Sequence, residues 1–442
     1  MSELGNEPDS KQKAVLERHA SWIELFFDLV VVAGIGQLAH LLHGSPSWSD
    51  VALYALLYLA FWTAWATFTM YGNVAGDRVR IPSMLIAMFG LAVMMAAVAG
   101  IHDNHALAFA VAYVAVRLLA SRVWHNGQIV VDWPIAQMSL GVIPWIVSFW
   151  FEGETRFWLW TAGVTIDLLI MFVVSGSAIM EDAQEKLDRI IKVRGFKDDR
   201  MPELEALHSD RAHLAERLGL YVIIVLGEGV ILVISAASKL TWDSTVVSLA
   251  VGSFVLLSGM WALSLLYGHA GVPHLQAEKF PARIDMALHC FTTGAIAVLV
   301  AGLGAATEHG AEHTPANLRW LLCGSIAVYF GISLVAGLFA RSDRRWLLGW
   351  ALPCTAIPIV MGIVGTHMSA TWIIWVLVAT VTWQNGYEYA QQGRFLPSPP
   401  GRSDRAEPTG FRPIAYATST SRPGRSPSCV DRRTTVRRAA RP

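Results

Sequence analysis

The sequence is poor in charge and in cysteine, and each shortage excludes a class of protein. Charged residues make up 15% of its 442 residues, against roughly 25% in an ordinary soluble domain. Its four cysteines show no paired spacing, which argues against a disulfide framework or a cysteine-rich zinc site. Phosphate loops and nucleophile elbows are also missing, so no cofactor is expected. With 34 basic and 34 acidic residues, nothing indicates a nucleic-acid partner.

The sequence is instead rich in long runs of apolar residues. It is 54% hydrophobic, with a mean hydropathy of +0.44. A hydrocarbon core about 30 Å thick requires roughly 20 apolar residues per helix. We therefore predict an all-α polytopic membrane helical bundle of about twelve transmembrane helices, with the lipid bilayer as its partner. The predicted spans are 22–43, 51–71, 83–101, 106–121, 130–151, 157–179, 216–236, 245–267, 285–306, 318–339, 346–365 and 370–389.

Basic residues are distributed unevenly between the loops that join these spans. Loops on one side carry fifteen Lys and Arg residues and loops on the other side carry three. Because basic loops remain in the cytoplasm, this bias predicts an inner-membrane protein with both termini cytoplasmic. The polar N-terminal segment 1–21 has no cleavage site of the signal-peptide type, so we interpret it as cytoplasmic.

A polar cytoplasmic linker, 180–215, divides the spans into halves at 22–179 and 216–391. The halves contain similar segments in the same order, including VVVAGIG at 30–36 with IIVLGEG at 223–229, and WATFTMYG at 65–72 with WALSLLYG at 261–268. This order indicates a duplication into two six-helix repeats. Six is an even number, so the repeats are parallel, an arrangement in which transporters hold substrate between the halves.

The last segment, 392–442, differs in composition from the rest of the chain. It is rich in Pro, Ser and Arg and lacks apolar periodicity. Such a composition cannot bury enough apolar surface to fold, so we predict a disordered tail.

Two acids begin the first span, where carboxylates are costly. Glu24 and Asp28 are four residues apart and so share one helical face. Ser21 and Glu24 also fit a capping box, which gives Glu24 a structural role as an alternative. Asp28 lies a turn deeper and requires a cationic partner, for which Arg18 and Arg117 are candidates.

Two further acids lie deeper still. Asp167 is at the middle of the sixth span and Glu228 near the middle of the seventh. Buried ionisable groups at this depth often belong to ion or proton pathways. A neutral carboxyl that hydrogen-bonds one helix to another is the alternative for both.

Glycine pairs mark equivalent positions in the two halves. Gly34 and Gly36 flank Ile35, whereas Gly227 and Gly229 flank Glu228. We interpret these glycines as a helix-packing motif, because no strand precedes them to form a nucleotide site. The carboxylate in one copy alone is expected if a symmetric bundle holds a single functional site.

Asp285 and His289 form another acidic pattern, four residues apart on the ninth span. A carboxylate beside an imidazole can relay a proton, and a local ion pair at the helix start is the alternative. Several other histidines cluster on the proposed outer side, where imidazoles can bind transition metals. Without cysteine ligands or an HExxH motif, we predict no metal site there. These outer histidines are His40, His43, His102, His105, His309, His313 and His367.

Two stretches carry a family resemblance. IELFFDLVVVAGIGQLAHLL resembles the opening signature of the bacterial low temperature requirement protein A family, and ERLGLYVIIVLGEGVI, at 216–231, resembles its second signature. The resemblance implies a multi-spanning plasma-membrane protein, and Gly304 departs from it by replacing a family-like glutamate. Positions that match the family motifs are Glu24, Asp28, Glu216, Arg217, Gly227 and Glu228.

These patterns favour a transporter of an ion or small polar solute, with proton coupling as one form. Glu24 and Asp28 would form a gate or ion site on the inner side, and Glu228 with Asp167 a midplane site. The alternatives are a non-catalytic membrane component or sensor in cold adaptation, and a metal-dependent integral membrane enzyme. We favour a protein that is not an enzyme. The substrate and the oligomeric state are not predicted.

Overall fold

The computed structural model describes most of the chain between Arg18 and Phe395. The described ranges are 18–42, 46–124, 128–174, 178–181, 183–185, 188–189, 204–275, 280–309, 314–339 and 346–395. The first 17 residues, about half of the predicted linker and nearly all of the predicted tail lie outside these ranges.

The described residues are almost entirely helical. The helices are α1 (Trp22–Ala39), α2 (Trp48–Ala75), α3 (Ile81–Val98), α4 (Ala106–Arg122), α5 (Val142–Val147), α6 (Gly153–Val173), α7 (Arg211–Ser238), α8 (Ser244–Trp261), α9 (Ala282–His309), α10 (Ala316–Phe339), α11 (Leu352–Val364) and α12 (Ala370–Phe395). Strands β1 (Gln128–Val130) and β2 (Glu205–Leu207) pair in parallel, and β3 (Gly268–His269) and β4 (Val272–Pro273) form an antiparallel hairpin. This composition confirms the all-α prediction.

Nine helices within the described ranges are long and apolar enough to cross a membrane. They are Trp22–Leu42, Trp48–Arg78, Ile81–Val98, Gly153–Val173, Arg211–Ser238, Ser244–Leu266, Ala282–Glu308, Ala316–Leu338 and Leu347–His367. Large apolar side chains such as Trp22 and Phe89 stand outward, exposed by 88% and 71%. Outward apolar faces on long helices are typical of a protein solvated by lipid. The count of twelve spans is not confirmed.

The predicted fifth span, 130–151, is not one continuous helix. It contains the end of β1, two short 3₁₀ turns and the six-residue helix α5. Pro134 and Pro144 lack a backbone donor and Gly141 has a low helix propensity, so this apolar run cannot propagate a long helix. The number of apolar residues in a run does not reveal such interruptions, because they depend on where proline and glycine lie within it.

Contacts between helix ends define two ends of the bundle. At one end, which we call the motif end, α1 and α7 begin and α2 finishes: Arg18 donates to the Gly72 carbonyl at 2.9 Å and Asn73 to the Asp210 carbonyl at 2.9 Å. At the opposite end α2 and α10 begin, and the Asn317 amide donates to the carbonyl of Pro46.

Helices α1 and α7 run side by side in the same direction. Glu24 and Arg217 meet near their starts, and Gly36 lies against Glu228 about eleven residues further along both. Neighbouring contacts also correspond between the halves. Helix α1 packs on α2 and α3, and α3 on α4, whereas α7 packs on α8 and α9, and α9 on α10.

Candidate functional site

The Arg217 guanidinium on α7 lies between two carboxylates of α1. Its Nη2 is 2.6 Å from Asp28 Oδ1 and its Nε donates to Asp28 Oδ2 at 3.0 Å. Its Nη1 is 3.0 Å from Glu24 Oε1, and all three side chains are 0% exposed. A planar guanidinium that engages a carboxylate through two bonds is held in a fixed orientation. We call Glu24, Asp28 and Arg217 the clamp.

Local sequence explains the position of Glu24. Ser21 donates to Glu24 Oε2 through its backbone N–H at 2.8 Å and its hydroxyl at 2.7 Å, which confirms the capping box. Gly72 permits the approach of α2, because a Cβ there would lie 2.6 Å from Glu24 Oε1. Arg18 Nη2 is 3.5 Å from the same oxygen, so this predicted cation serves Glu24.

His213 brings a titratable ring to the clamp. Its Nε2 is 3.5 Å from Glu24 Oε2, and both side chains are fully buried. The Asn73 carbonyl oxygen accepts from the Asp210 backbone N–H at 2.8 Å, so its amide group donates to His213 Nδ1 at 2.9 Å. A neutral His213 with an acceptor at Nδ1 therefore carries its proton on Nε2, facing Glu24.

An aromatic layer covers the inward side of the clamp. Trp65 donates from Nε1 to Asp28 Oδ1 at 2.7 Å, and its ring stacks on His289 with centroids 5.6 Å apart. Tyr221 packs on Trp65 at 4.2 Å. These side chains come from α2, α7 and α9, so the clamp and its cover join both halves of the chain.

The predicted pair Asp285 and His289 is engaged separately. Asp285 Oδ2 lies 2.6 Å from Arg211 Nη2 near the start of α9. Trp62 Nε1 lies 3.4 Å from His289 Nδ1, and because an indole nitrogen is only a donor, His289 Nε2 donates to the Leu218 carbonyl at 3.1 Å. Asp285 is therefore engaged in an ion pair with Arg211, and both ring nitrogens of His289 bond to other groups.

A second buried ion pair lies within the first half. Arg117 Nη2 on α4 is 3.1 Å from Asp167 Oδ1 on α6, and the two side chains are 1% and 2% exposed. Arg117 was a candidate partner for Asp28, but in the structure it forms an ion pair with Asp167. The irregular segment 130–151 contributes here, because Gly141 packs so closely on Asp167 that a Cβ at that position would clash with the carboxylate.

Glu228 lies apart from both ion pairs. Its carboxylate touches Gly36 of α1, where any Cβ would clash with Oε1. In the described part of the chain no hydrogen bond or ion pair is found at this half-buried carboxylate. Gly36 therefore permits this close contact between α1 and α7.

The other three motif glycines differ in their surroundings. A Cβ on Gly34 would lie 2.9 Å from Met95 Cγ, and one on Gly229 would lie 2.7 Å from Val300 Cγ2. Both glycines therefore allow close helix contact. Gly227 has nothing within 4 Å of that position, so close packing does not explain it.

No group of three His, Cys, Asp or Glu able to hold a metal occurs among the described residues. His102 lies 4.0 Å from Asp50 at the opposite end of the bundle. His43 and His313 lie outside the described residues, as does the side chain of His309.

The structure brings together some of the predicted acids and separates others. Glu24 and Asp28 share one arginine, whereas Asp167 and Glu228, expected to form one midplane site, lie against different elements. Arg217 was noted in the sequence only as a motif position, although it is the central cation. The repeat offers a signal, because the offset of 193 residues that aligns VVVAGIG with IIVLGEG also aligns Glu24 with Arg217.

Comparisons with known proteins support the motif resemblance. The sequence profile described as "Bacterial low temperature requirement A protein (LtrA)" matches residues 19–382. An uncharacterized protein, RA0937, from Rhizobium meliloti (strain 1021) is 28% identical over 219 residues, which cover 48% of this chain and 50% of that protein. The chain thus matches about half the length of this relative. No solved structure matches.

Proposed function

Because the chain belongs to the bacterial low temperature requirement A protein (LtrA) family, we propose that it is a membrane transporter of an ion or small polar solute. In this proposal the clamp is a gate at the motif end and Glu228 is the ion site. The single observation that carries the proposal is the Arg217 guanidinium, buried between two α1 carboxylates and so joining the first half to the second.

Energetics favour a switching role for the clamp over a purely stabilising one. Desolvating two charges costs several kcal/mol per ion, and a buried ion pair is often no more stable than an apolar replacement. A pair that bridges two bodies can instead hold one arrangement and release another. The clamp has this placement, since its acids are on α1 and its base on α7.

Glu228 supplies a site for the transported ion or coupled proton. It is the eighteenth residue of the 28-residue helix α7, and a carboxylate without a protein partner at this depth indicates a function. It lies on the same α1–α7 contact as the clamp, eleven residues or about 16 Å along the helix from Arg217. A gate and a binding site on one contact allow movement of the halves to control access.

The proposal includes a finer architecture. Twelve crossings form two parallel six-helix repeats, and the irregular segment 130–151 makes the fifth crossing. The matching packing around α1 and α7 supports this arrangement. The motif end faces the cytoplasm, both termini lie there, and the membrane is the bacterial inner membrane, as the basic loops favour. No enzymatic activity is part of the proposal.

Reconstitution in liposomes tests the proposed transport. Purified protein is incorporated with a trapped pH dye and a potential-sensitive dye, and proton, sodium, potassium and magnesium gradients are imposed in turn. We expect flux above protein-free liposomes and at least a tenfold loss with Glu228→Gln. Glu154→Gln, the same change on an exposed residue at the start of α6, is the matched control.

Two results would contradict the proposal. Equal flux for wild type and Glu228→Gln would remove Glu228 from the pathway. Absence of flux under every gradient, with protein shown to be folded and inserted, would favour a non-transporting membrane component.

A further inference from the structure

We propose that a cleft between the two halves binds one acyl chain of a membrane phospholipid. The cleft has a volume of about 400 Å³ and is bounded by α2 from the first half and by α9 and α10 from the second. Pockets of about 300–1,000 Å³ accommodate compact organic ligands. This inference is independent of transport, because it concerns other helix faces than the clamp and Glu228.

The cleft opens toward the lipid. Trp48, Phe291 and Val328 line it and are 66%, 47% and 51% exposed on helices long and apolar enough to span a membrane. Its walls are almost wholly apolar. An open apolar cleft on such a surface is in contact with hydrocarbon, so the natural occupant is a lipid chain.

The length of the cleft matches one leaflet. Along α2 its lining extends from Trp48 to Leu59, eleven residues on, or about 16 Å. Half of a hydrocarbon core of about 30 Å is about 15 Å. Trp48 and Asn317 lie at the opposite end of the bundle, where tryptophan typically marks the membrane interface. The lipid headgroup is therefore expected beside these residues, with the chain reaching toward Cys290.

Tyr54 and Gly324 shape the wall of the cleft. Tyr54 lines it and is 1% exposed, and its hydroxyl is enclosed by protein, so this residue forms part of an apolar wall. Gly324 leaves the wall open, because a Cβ there meets only Trp320 Cε3, at 3.7 Å.

Photolabelling tests the proposal on the full-length protein in nanodiscs. The probe is a diacyl phosphatidylethanolamine with a diazirine at the end of one chain. We expect labels concentrated around Phe291 and Val328, and at least a tenfold reduction with Gly324→Leu, whose side chain would fill the cleft. Gly331→Leu is the matched control on the same helix, because Gly331 is not part of the lining and its added Cβ has no atom within 4 Å.

One further variant sharpens the test. Val328→Trp blocks the cleft from its exposed rim, so it replaces Gly324→Leu if that variant does not fold. Labelling spread evenly over exposed helices and equal in Gly324→Leu, Val328→Trp and Gly331→Leu would show annular lipid only and overturn the site.

Discussion

Removing both Asp28 and Arg217 from the clamp should destabilise the protein by less than the sum of the losses caused by removing each one alone. Arg217→Met leaves two fully buried carboxylates, of which Glu24 keeps Arg18 and His213, each at 3.5 Å, and Asp28 keeps no cation in an ion pair among the described residues. Breaking a buried pair by deleting one partner costs about 3–5 kcal/mol. Asp28→Leu similarly leaves Arg217 with one carboxylate, at 3.0 Å.

The double variant Asp28→Leu/Arg217→Met removes one charge of each sign and leaves Glu24 beside Arg18. We therefore expect its loss of unfolding free energy to be smaller than the sum of the single losses by about 3 kcal/mol, the upper range for directly interacting residues. The assay is reversible unfolding in mixed micelles with increasing dodecyl sulfate, followed by tryptophan fluorescence. Four proteins, the wild type and three variants, complete the cycle.

A surface ion pair gives the control. Glu185 and Arg189 are 3.3 Å apart, one helical turn from each other, and 73% and 72% exposed. Exposed pairs of this kind contribute about 0.3–0.5 kcal/mol. A coupling between Asp28 and Arg217 no larger than that of the control pair would refute the argument that the clamp acts as a buried, oriented interaction.

Three further substitutions test the surroundings of the clamp and the second ion pair. Gly72→Ala, whose Cβ would lie 2.6 Å from Glu24 Oε1, should lower the thermal midpoint in detergent by several degrees; Gly227→Ala, with open space around it, should not, and equal midpoints would contradict the close approach. Trp65→Phe removes a 2.7 Å bond to a carboxylate and should cost about 1.5–3 kcal/mol in dodecyl sulfate unfolding, whereas a neutral result would mean that the indole is dispensable. Asp167→Asn leaves a buried guanidinium without its counter-charge and should cost about 3–5 kcal/mol by the same measurement, so an unchanged unfolding curve would count against that pair.

Local patterns predicted the near-sequence features of the site well. The spacing of Glu24 and Asp28 placed both on one face of α1, and the Ser21 capping box is present. The cation that pairs with Asp28 was harder to predict, because Arg217 is 189 residues away. Spacing along one helix carries no information about a neighbour so distant in sequence. Arg117 had the right chemistry and depth, yet packing of α4 against α6 pairs it with Asp167.

The helix count shows a different limit. In the part of the chain that the structure describes, nine helices long and apolar enough to cross a membrane overlap predicted spans, because long apolar runs have few alternatives in lipid. The fifth predicted span, 130–151, is not one helix, because its prolines and its central glycine interrupt the apolar run. Protein packing covers part of this segment, because Trp145 is fully buried against Trp160, with ring centroids 4.9 Å apart.

The origin of the clamp in two distant segments bears on biogenesis. Glu24 and Asp28 leave the ribosome about 190 residues before Arg217, so both acids are synthesised well before the cation that pairs with them. Arg117 and Asp167 have no such delay of a whole half, since they are 50 residues apart. The first half expressed without the second would therefore retain the ion pair of Arg117 with Asp167. Glu24 and Asp28 would lack Arg217.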